Sequence, residues 1–322
     1  MRCYRLKFFR DNLGMIDMVG SYIFGIYPRS EKLIEITRKR IYAPPDFEEE
    51  SKVLFDSQRE AELTYIQDPL LSWDDMFRPI TVNSNGIKPD GINRFFETNT
   101  FYRVPLLEGN IDAKEDVLAR SLHLGLYKPE DKRMASLPDP LTFAILSKDE
   151  HYGDVSLVIA AIGELLSKQA RGLNRAGFET LVLKCPAYGF IDLKKHFDRV
   201  AEAISSIKRA FIKKVILHIY FKPVKDVELL NELPVDGLGF DMINGSQPLR
   251  RMDNKELALG LVNGYSTVLE ENIPERVKAI LDSINPPRAY VTNNVDLEYI
   301  PYKFAIKKLD LLRKAMRRIN ND

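Results

Sequence analysis

The 322-residue chain is poor in the side chains that build covalent or metal-held frameworks. It contains two cysteines, Cys3 and Cys185, and four histidines, His123, His151, His196 and His218. That scarcity excludes a disulfide scaffold, a zinc finger and any cage made only of thiolates. An excess of charge of one sign is missing too: 47 Lys+Arg stand against 46 Asp+Glu, a formal net charge of +1. Nucleic-acid binding calls for surplus positive charge on one face, so no nucleic-acid partner is expected. No apolar run reaches the ~18 residues of a spanning helix, and the opening MRCYRLKFFRDNLG carries charge where a signal peptide is apolar. The expectation is a protein of the cytoplasm with reduced thiols and no membrane partner. Internal repeats and low-complexity tracts are also lacking. What is present is an ordinary globular composition, 45% hydrophobic and 29% charged, enough to bury a substantial core. The length suits two domains of roughly 150 residues or one α/β barrel of roughly 250 residues with additions.

From about residue 138 onward, short apolar runs alternate with helical patterns. TFAIL at 142–146 precedes a helix predicted over 152–176, where Val155, Val158, Ile159, Ile162, Leu165 and Leu166 recur at three- and four-residue spacing. FETLVLKC at 178–185 reads as a buried strand, followed by a helix at 192–211 and strands at 215–221 and 237–243. ELALGLVNG at 256–264, a helix at 272–284, PRAYVTNN at 287–294 and a basic amphipathic helix at 301–319 complete the series. One strand and one helix every ~30 to 35 residues argue for parallel β/α units, and several in succession favour a closed (β/α)8 TIM barrel over two domains. Before them, 17–30 reads as a first strand with a glycine-rich exit, 30–42 as a helix, and DFEEES onward as a second helix running into a strand near Gln67, with EEES at 48–51 an exposed helix start. Residues about 71–135 hold too much Gly, Pro and polar character for one unit. They read as an insertion over the barrel mouth within a single domain of residues 1–322.

In such a barrel the residues closing each strand face the active site. The candidates are Gly20 and Ser21, Trp73 and Asp74, Lys184 and Cys185, His218 and Tyr220, Asp241, Asn263 to Ser266, and Asn293 to Val295. A polar residue at a strand end also serves as a helix cap or loop bond. The remaining histidines, His123, His151 and His196, have no partner at metal-ligand spacing and suit solvated or capping roles. The most distinctive stretch is RFFETNTFYR, which places Arg94, Glu97, Asn99, Tyr102 and Arg103 among aromatics and threonines. Guanidinium forks and aromatic faces can receive an anion or a planar ring; the same composition suits a β-hairpin with buried aromatics and ion-paired arginines.

That stretch resembles the GLxRFFDTNTYYRxP signature of the archaeal-type, short-form relatives of cobalamin-independent methionine synthase. WDDMFRP, VGSYIFGIYPRS at 19–30, DPLTFAILSKDEHYGD at 139–154, GLVNGYSTVLE at 260–270 and VTNNVDLEYIPYKFAIKKL at 291–309 are similar to further motifs of that family, in the same order. The resemblance implies a β/α barrel of a family that transfers a methyl group from a methylated pterin or methyl-corrinoid carrier to homocysteine. In that family a zinc ion held by His, Cys, Glu and Cys keeps the thiol ionised.

The departures fall on the zinc ligands. His218 matches the family histidine, but Tyr220 stands at the first cysteine, Asp241 at the glutamate and Val295 at the second cysteine. Lys184 and Cys185 replace an Asp-Glu pair, and Tyr265 replaces the catalytic histidine, leaving Ser266 as the match. The resemblance therefore implies no metal site and a noncatalytic, carrier-binding barrel like the amino-terminal half of the long-form enzyme, partnered by a zinc-bearing catalytic barrel chain or a corrinoid protein. Gly20, Ser21, Trp73, Asp74, Arg94, Asn99, Tyr102, Arg103 and Ser266 are its expected binding residues. A second reading is a stand-alone, metal-free methyltransferase with a changed acceptor, built on His218, Asp241, Lys184 and Cys185. A third is a uroporphyrinogen-decarboxylase-like enzyme binding a polyanion through arginines.

Overall fold

Strand runs of two to seven residues wrap into one parallel sheet. The computed structural model describes residues 19–41, 43–225, 227–244, 255–284 and 286–321; Cys3 and the opening segment lie outside them. The barrel strands are β1 (Val19–Ser21), β2 (Ile66–Gln67), β5 (Arg133–Pro138), β7 (Thr180–Lys184), β8 (Lys214–Ile219), β9 (Gly237–Asp241), β10 (Glu256–Val262) and β11 (Ala289–Asn293). From β2 to β11 each pairs with the next in parallel register, and β11 returns to β1. The circle closes where the Thr64 N–H donates to the Ser21 carbonyl at 2.8 Å and the Ser21 N–H donates to Thr64 Oγ1 at 3.0 Å. A (β/α)8 barrel is thus the architecture the sequence periodicity predicts.

Two cores result. Outside the sheet, helices bury one apolar stripe each. Val155–Arg175 starts at Asp154, whose carboxylate accepts from the Ser156 N–H at 2.7 Å, and turns Val158, Ile159, Ile162, Leu165 and Leu166 inward. Gly163 lets this helix approach Phe197–Ala210, since a Cβ there would lie 2.6 Å from Ala203 Cβ. Inside the sheet, Tyr22, Phe24, Tyr65, Val182, Ile216, Tyr220, Tyr290 and Val295 belong to a separate cluster. Bulky inward side chains make the barrel a packed core, not a pore.

Three segments differ from what the sequence predicts. TFAIL belongs to the helix Pro140–Ile145 and not to a strand, because Asp139 caps it through the Leu141 and Thr142 N–H groups and Pro140 sits where no N–H is needed. The barrel strand is the preceding RMASLP, so chain assigned to the insertion up to 135 already belongs to the barrel from Arg133. EEES lies one turn inside the helix Pro44–Glu60, with Ser51 buried. The excursion itself is a second, three-stranded sheet: β3 (Ser84–Arg94) and β4 (Phe101–Ala113) form a long antiparallel hairpin, and β6 (Lys148–Asp149) pairs with β4.

Candidate functional site

The loops after β1, β2 and β11 and the carboxyl end of β7 meet the hairpin tip over the barrel mouth. Between them lies a cavity of about 310 Å³, walled on the hairpin side by Phe95, Asn99, Thr100, Phe101 and Tyr102 and on the barrel side by Lys184, Glu298 and Tyr299, with Asp74 and Asp75 at its edge. Its floor is a buried ion pair: Lys184 Nζ donates to Asp296 Oδ1, the two side chains being 4% and 1% exposed. Asp296 Oδ1 also accepts from the Ile26 N–H at 2.8 Å. Gly25 makes that possible: its φ is +84°, and a Cβ would lie 2.1 Å from Asp296 Oδ1. Burial and the adjacent Asp296 push the Glu298 carboxyl up to about 8.

Below this floor the residues aligned with the zinc ligands are packed as core. His218 is fully buried, its ring 4.2 Å from that of Phe24, and neither ring nitrogen has a hydrogen-bond partner. Burial, reinforced by the Lys184 charge and opposed by the Asn294 backbone, lowers its pKa to about 3. Gly239 leaves the room, since a Cβ there would meet His218 Nδ1 at 2.2 Å. Tyr220 and Val295 are fully buried beside it. Asp241 is committed elsewhere: its Oδ1 accepts from the Ile243 N–H at 2.8 Å, the Asn244 N–H at 3.0 Å and Asn294 Nδ2 at 3.1 Å, and its Oδ2 from Asn244 Nδ2 at 2.9 Å. One imidazole, one saturated carboxylate, a phenol and an isopropyl group do not fit a zinc ion. Among the described residues no three His, Cys, Asp or Glu side chains converge to hold a metal.

Of the residues expected to bind ligand, Asp74, Asn99 and Tyr102 line the cavity, as does Lys184 from the set of the metal-free methyltransferase reading. Tyr102 is buried, its hydroxyl donating to the Leu146 carbonyl at 3.2 Å, and Asp74 pairs with Arg29 at 3.1 Å. The others are elsewhere. Gly20 and Ser21 close the barrel against Thr64 and Tyr290. Trp73 is buried under the first loop, and Ser266 Oγ accepts from the Val268 N–H at 3.1 Å within its own turn. Arg94 bonds to Asn99 at 3.5 Å and Arg103 to the Asp90 carbonyl at 3.1 Å, so both guanidinium groups hold the hairpin together. Cys185 is buried beside Asp139; burial, then that carboxyl, drives its thiol pKa well up, the opposite of a reactive cysteine. His123, read as solvated or capping, instead pairs with the buried Asp68 carboxylate at 3.0 Å. Sequence reasoning missed Asp296 and Glu298. The signal was present: Asp296 directly follows Val295, which the resemblance sets at a zinc-ligand position, and Lys184 stands where the resemblance sets an aspartate.

A closed parallel barrel with a mouth cavity under an inserted hairpin defines a β/α-barrel protein with its site at the strand carboxyl ends. Residues 73–284 match the family described as cobalamin-independent synthase, N-terminal domain, and the chain belongs to that family. The chain is 25% identical over 193 residues to a methionine synthase of Pyrococcus furiosus, covering 57% of this chain and 56% of that protein. It is 27% identical over 255 residues to a 5-methyltetrahydropteroyltriglutamate–homocysteine methyltransferase of Streptococcus pneumoniae, covering 69% of this chain but 32% of that protein. The chain thus spans about half or less of these relatives. In structure it resembles a B12-independent methionine synthase of Shewanella sp. W3-18-1, with a TM-score of 0.77 at 14% identity over 94% of this chain and 98% of the other. No described helix is long and apolar enough to cross a membrane.

Proposed function

We propose that this chain is a zinc-less barrel of the methionine synthase type, which holds a methyl carrier or supports a zinc-bearing catalytic barrel instead of transferring the methyl group itself. The observation that carries the reading is the filled centre: Tyr220 and Val295 occupy the two thiolate positions as buried core, and Lys184 and Asp296 neutralise each other above them. A cation placed there would meet the Lys184 ammonium at short range in a poorly solvated site, which opposes metal binding. The mouth cavity, with aromatic walls and the Glu298 carboxyl, is where a carrier's planar end would be received. A stand-alone methyltransferase with a changed acceptor is the second reading, favoured by the same cavity because it borders Lys184 and Glu298 without a partner chain. A tetrapyrrole-type site has no such support, since no arginine lines the cavity.

The test is to incubate purified protein with zinc, remove loose metal and measure what remains. Well under one zinc per chain is expected, and tightly held equimolar zinc would overturn the reading. The chain alone should make no methionine from homocysteine and a methylated pterin or methyl-corrinoid, and a zinc-bearing barrel chain with the His-x-Cys, Glu and Cys ligands should do so faster in its presence. Methyl transfer to another acceptor by the chain alone would select the second reading.

A further inference from the structure

The β3–β4 hairpin is built in two halves. Its inner half, Ser84–Lys88 against Leu106–Ala113, is tied down because Leu106 and Leu107 also pair with Lys148 and Asp149 of β6. The outer half begins where Pro89 stands opposite Pro105. Neither proline has an N–H, so the ladder is interrupted at that pair. The register shifts immediately beyond, between Pro89 and Ile92, around Gly91, at which an added Cβ would meet nothing within 4 Å. A proline pair followed by a bulge concentrates bending at one level of the ribbon.

The outer half ends at the tip that roofs the mouth cavity. Among the described residues, the backbone hydrogen bonds of the tip close on the tip itself: the Phe95 N–H donates to the Thr100 carbonyl at 3.0 Å and the Thr98 N–H to the Phe95 carbonyl at 3.1 Å. Contacts with the barrel dock the outer half instead: the buried Tyr102 donates its hydroxyl to the Leu146 carbonyl at 3.2 Å and the Arg103 N–H donates to Asp75 Oδ2 at 3.1 Å. The Phe96 ring lies 4.8 Å from Phe190, on the loop after β7, and 5.3 Å from Phe221, on the loop after β8. Lys222 Nζ sits 4.2 Å over the Phe190 ring and 3.6 Å from Glu97. Both partners in this contact hold strained backbone, with φ of +50° at Phe96 and +75° at Phe221. Bulky residues persist in that region only where surrounding packing over-determines them.

We propose that residues 90–104 form a hinged lid on the mouth cavity, bending at the Pro89–Pro105 pair and latched at the tip by Phe96 between Phe190 and Phe221 and nearer the hinge by Tyr102 on Leu146 and Arg103 on Asp75. The cavity has walls on both parts, Asn99 and Thr100 on the lid and Lys184 and Glu298 on the barrel. It is therefore assembled only when the latch is engaged, and release opens it to solvent. The device holds whether the cavity serves a supporting or a catalytic barrel.

Hydrogen exchange followed by mass spectrometry on the full chain tests this. In Phe96→Ala, amides of 92–103 should exchange faster as one block, by roughly tenfold from the lost aromatic pairs, while 106–113 and strands β7 and β8 keep their rates. Phe190→Ala, on a partly exposed ring and safe for folding, should reproduce the same block from the other side of the latch. Unchanged exchange at 92–103 in both variants would overturn the latch. Equal acceleration of 92–103 and 106–113 would overturn the hinge, and acceleration throughout the barrel would make the contact structural only.

Discussion

An imidazole enclosed by a phenylalanine ring and a glycine, with no partner on either nitrogen, stays neutral because protonating it would strand a charge in the barrel core. His218 is that residue, and its lowered pKa of about 3 has a consequence for stability. The unfolded chain binds the proton near 6.5, the folded one does not until far lower, so the unfolded state holds more protons in between. Stability supported by His218 is thus full above about 6.5 and lost as pH falls towards about 3, by roughly 3 kcal/mol at about pH 4.5. Asp139, raised to about 6 by burial, works the other way, binding its proton more tightly when folded. A difference measurement separates the two: in urea unfolding from about pH 7 to 4.5, His218→Phe should lose roughly 3 kcal/mol less than the natural chain. Parallel pH profiles would show that the ring is not held neutral. At this scale the motif resemblance singled out His218, Tyr220, Asp241 and Val295, because motif comparison is residue by residue. It did not show that His218 is core, since its burial depends on Phe24 and Gly239, which are distant in sequence.

Helices were legible where their periodicity is strong and their caps unambiguous. The pattern over 152–176 became Val155–Arg175, and that over 272–284 became Ile273–Ser283. The strand Arg133–Pro138 was hidden because Arg133, Ser136 and Pro138 break its apolar run while TFAIL beyond it imitates one. The Asp139-Pro140 capping pair was the local cue. How closely two helices pack is an element-scale property that glycine controls. Replacing Gly163 by Ala gains about 1 kcal/mol of helix propensity, but its Cβ meets Ala203 Cβ at 2.6 Å. Overpacking costs roughly 1–3 kcal/mol and should prevail, so Gly163→Ala is expected to lower the urea midpoint. Gly125→Ala, with nothing within 4 Å, serves as the control and should change it little. A stabilised Gly163→Ala would mean the helices can separate freely.

At the scale of the molecule, a barrel cannot lose one strand without opening, and the inserted hairpin leans on its rim. We propose that residues 1–322 behave as a single cooperative domain. The sole tryptophan, Trp73, is 5% exposed at the base of the insertion, which gives a local fluorescence probe to set against circular dichroism of the whole. Coincident urea transitions are expected, and an earlier fluorescence transition would make the insertion a separate folding unit.

The alternation of strands and helices and the order of the family motifs were determined by the sequence alone, because periodicity, caps and motifs are properties of neighbouring residues. The occupant of the barrel centre was decided by tertiary structure. Lys184 and Asp296 are separated by 112 residues, and the two charges neutralise one another only because closure of the barrel brings the end of β7 against the loop after β11. The same closure sets the hairpin tip over that pair, turning a polar insertion into the roof of a cavity.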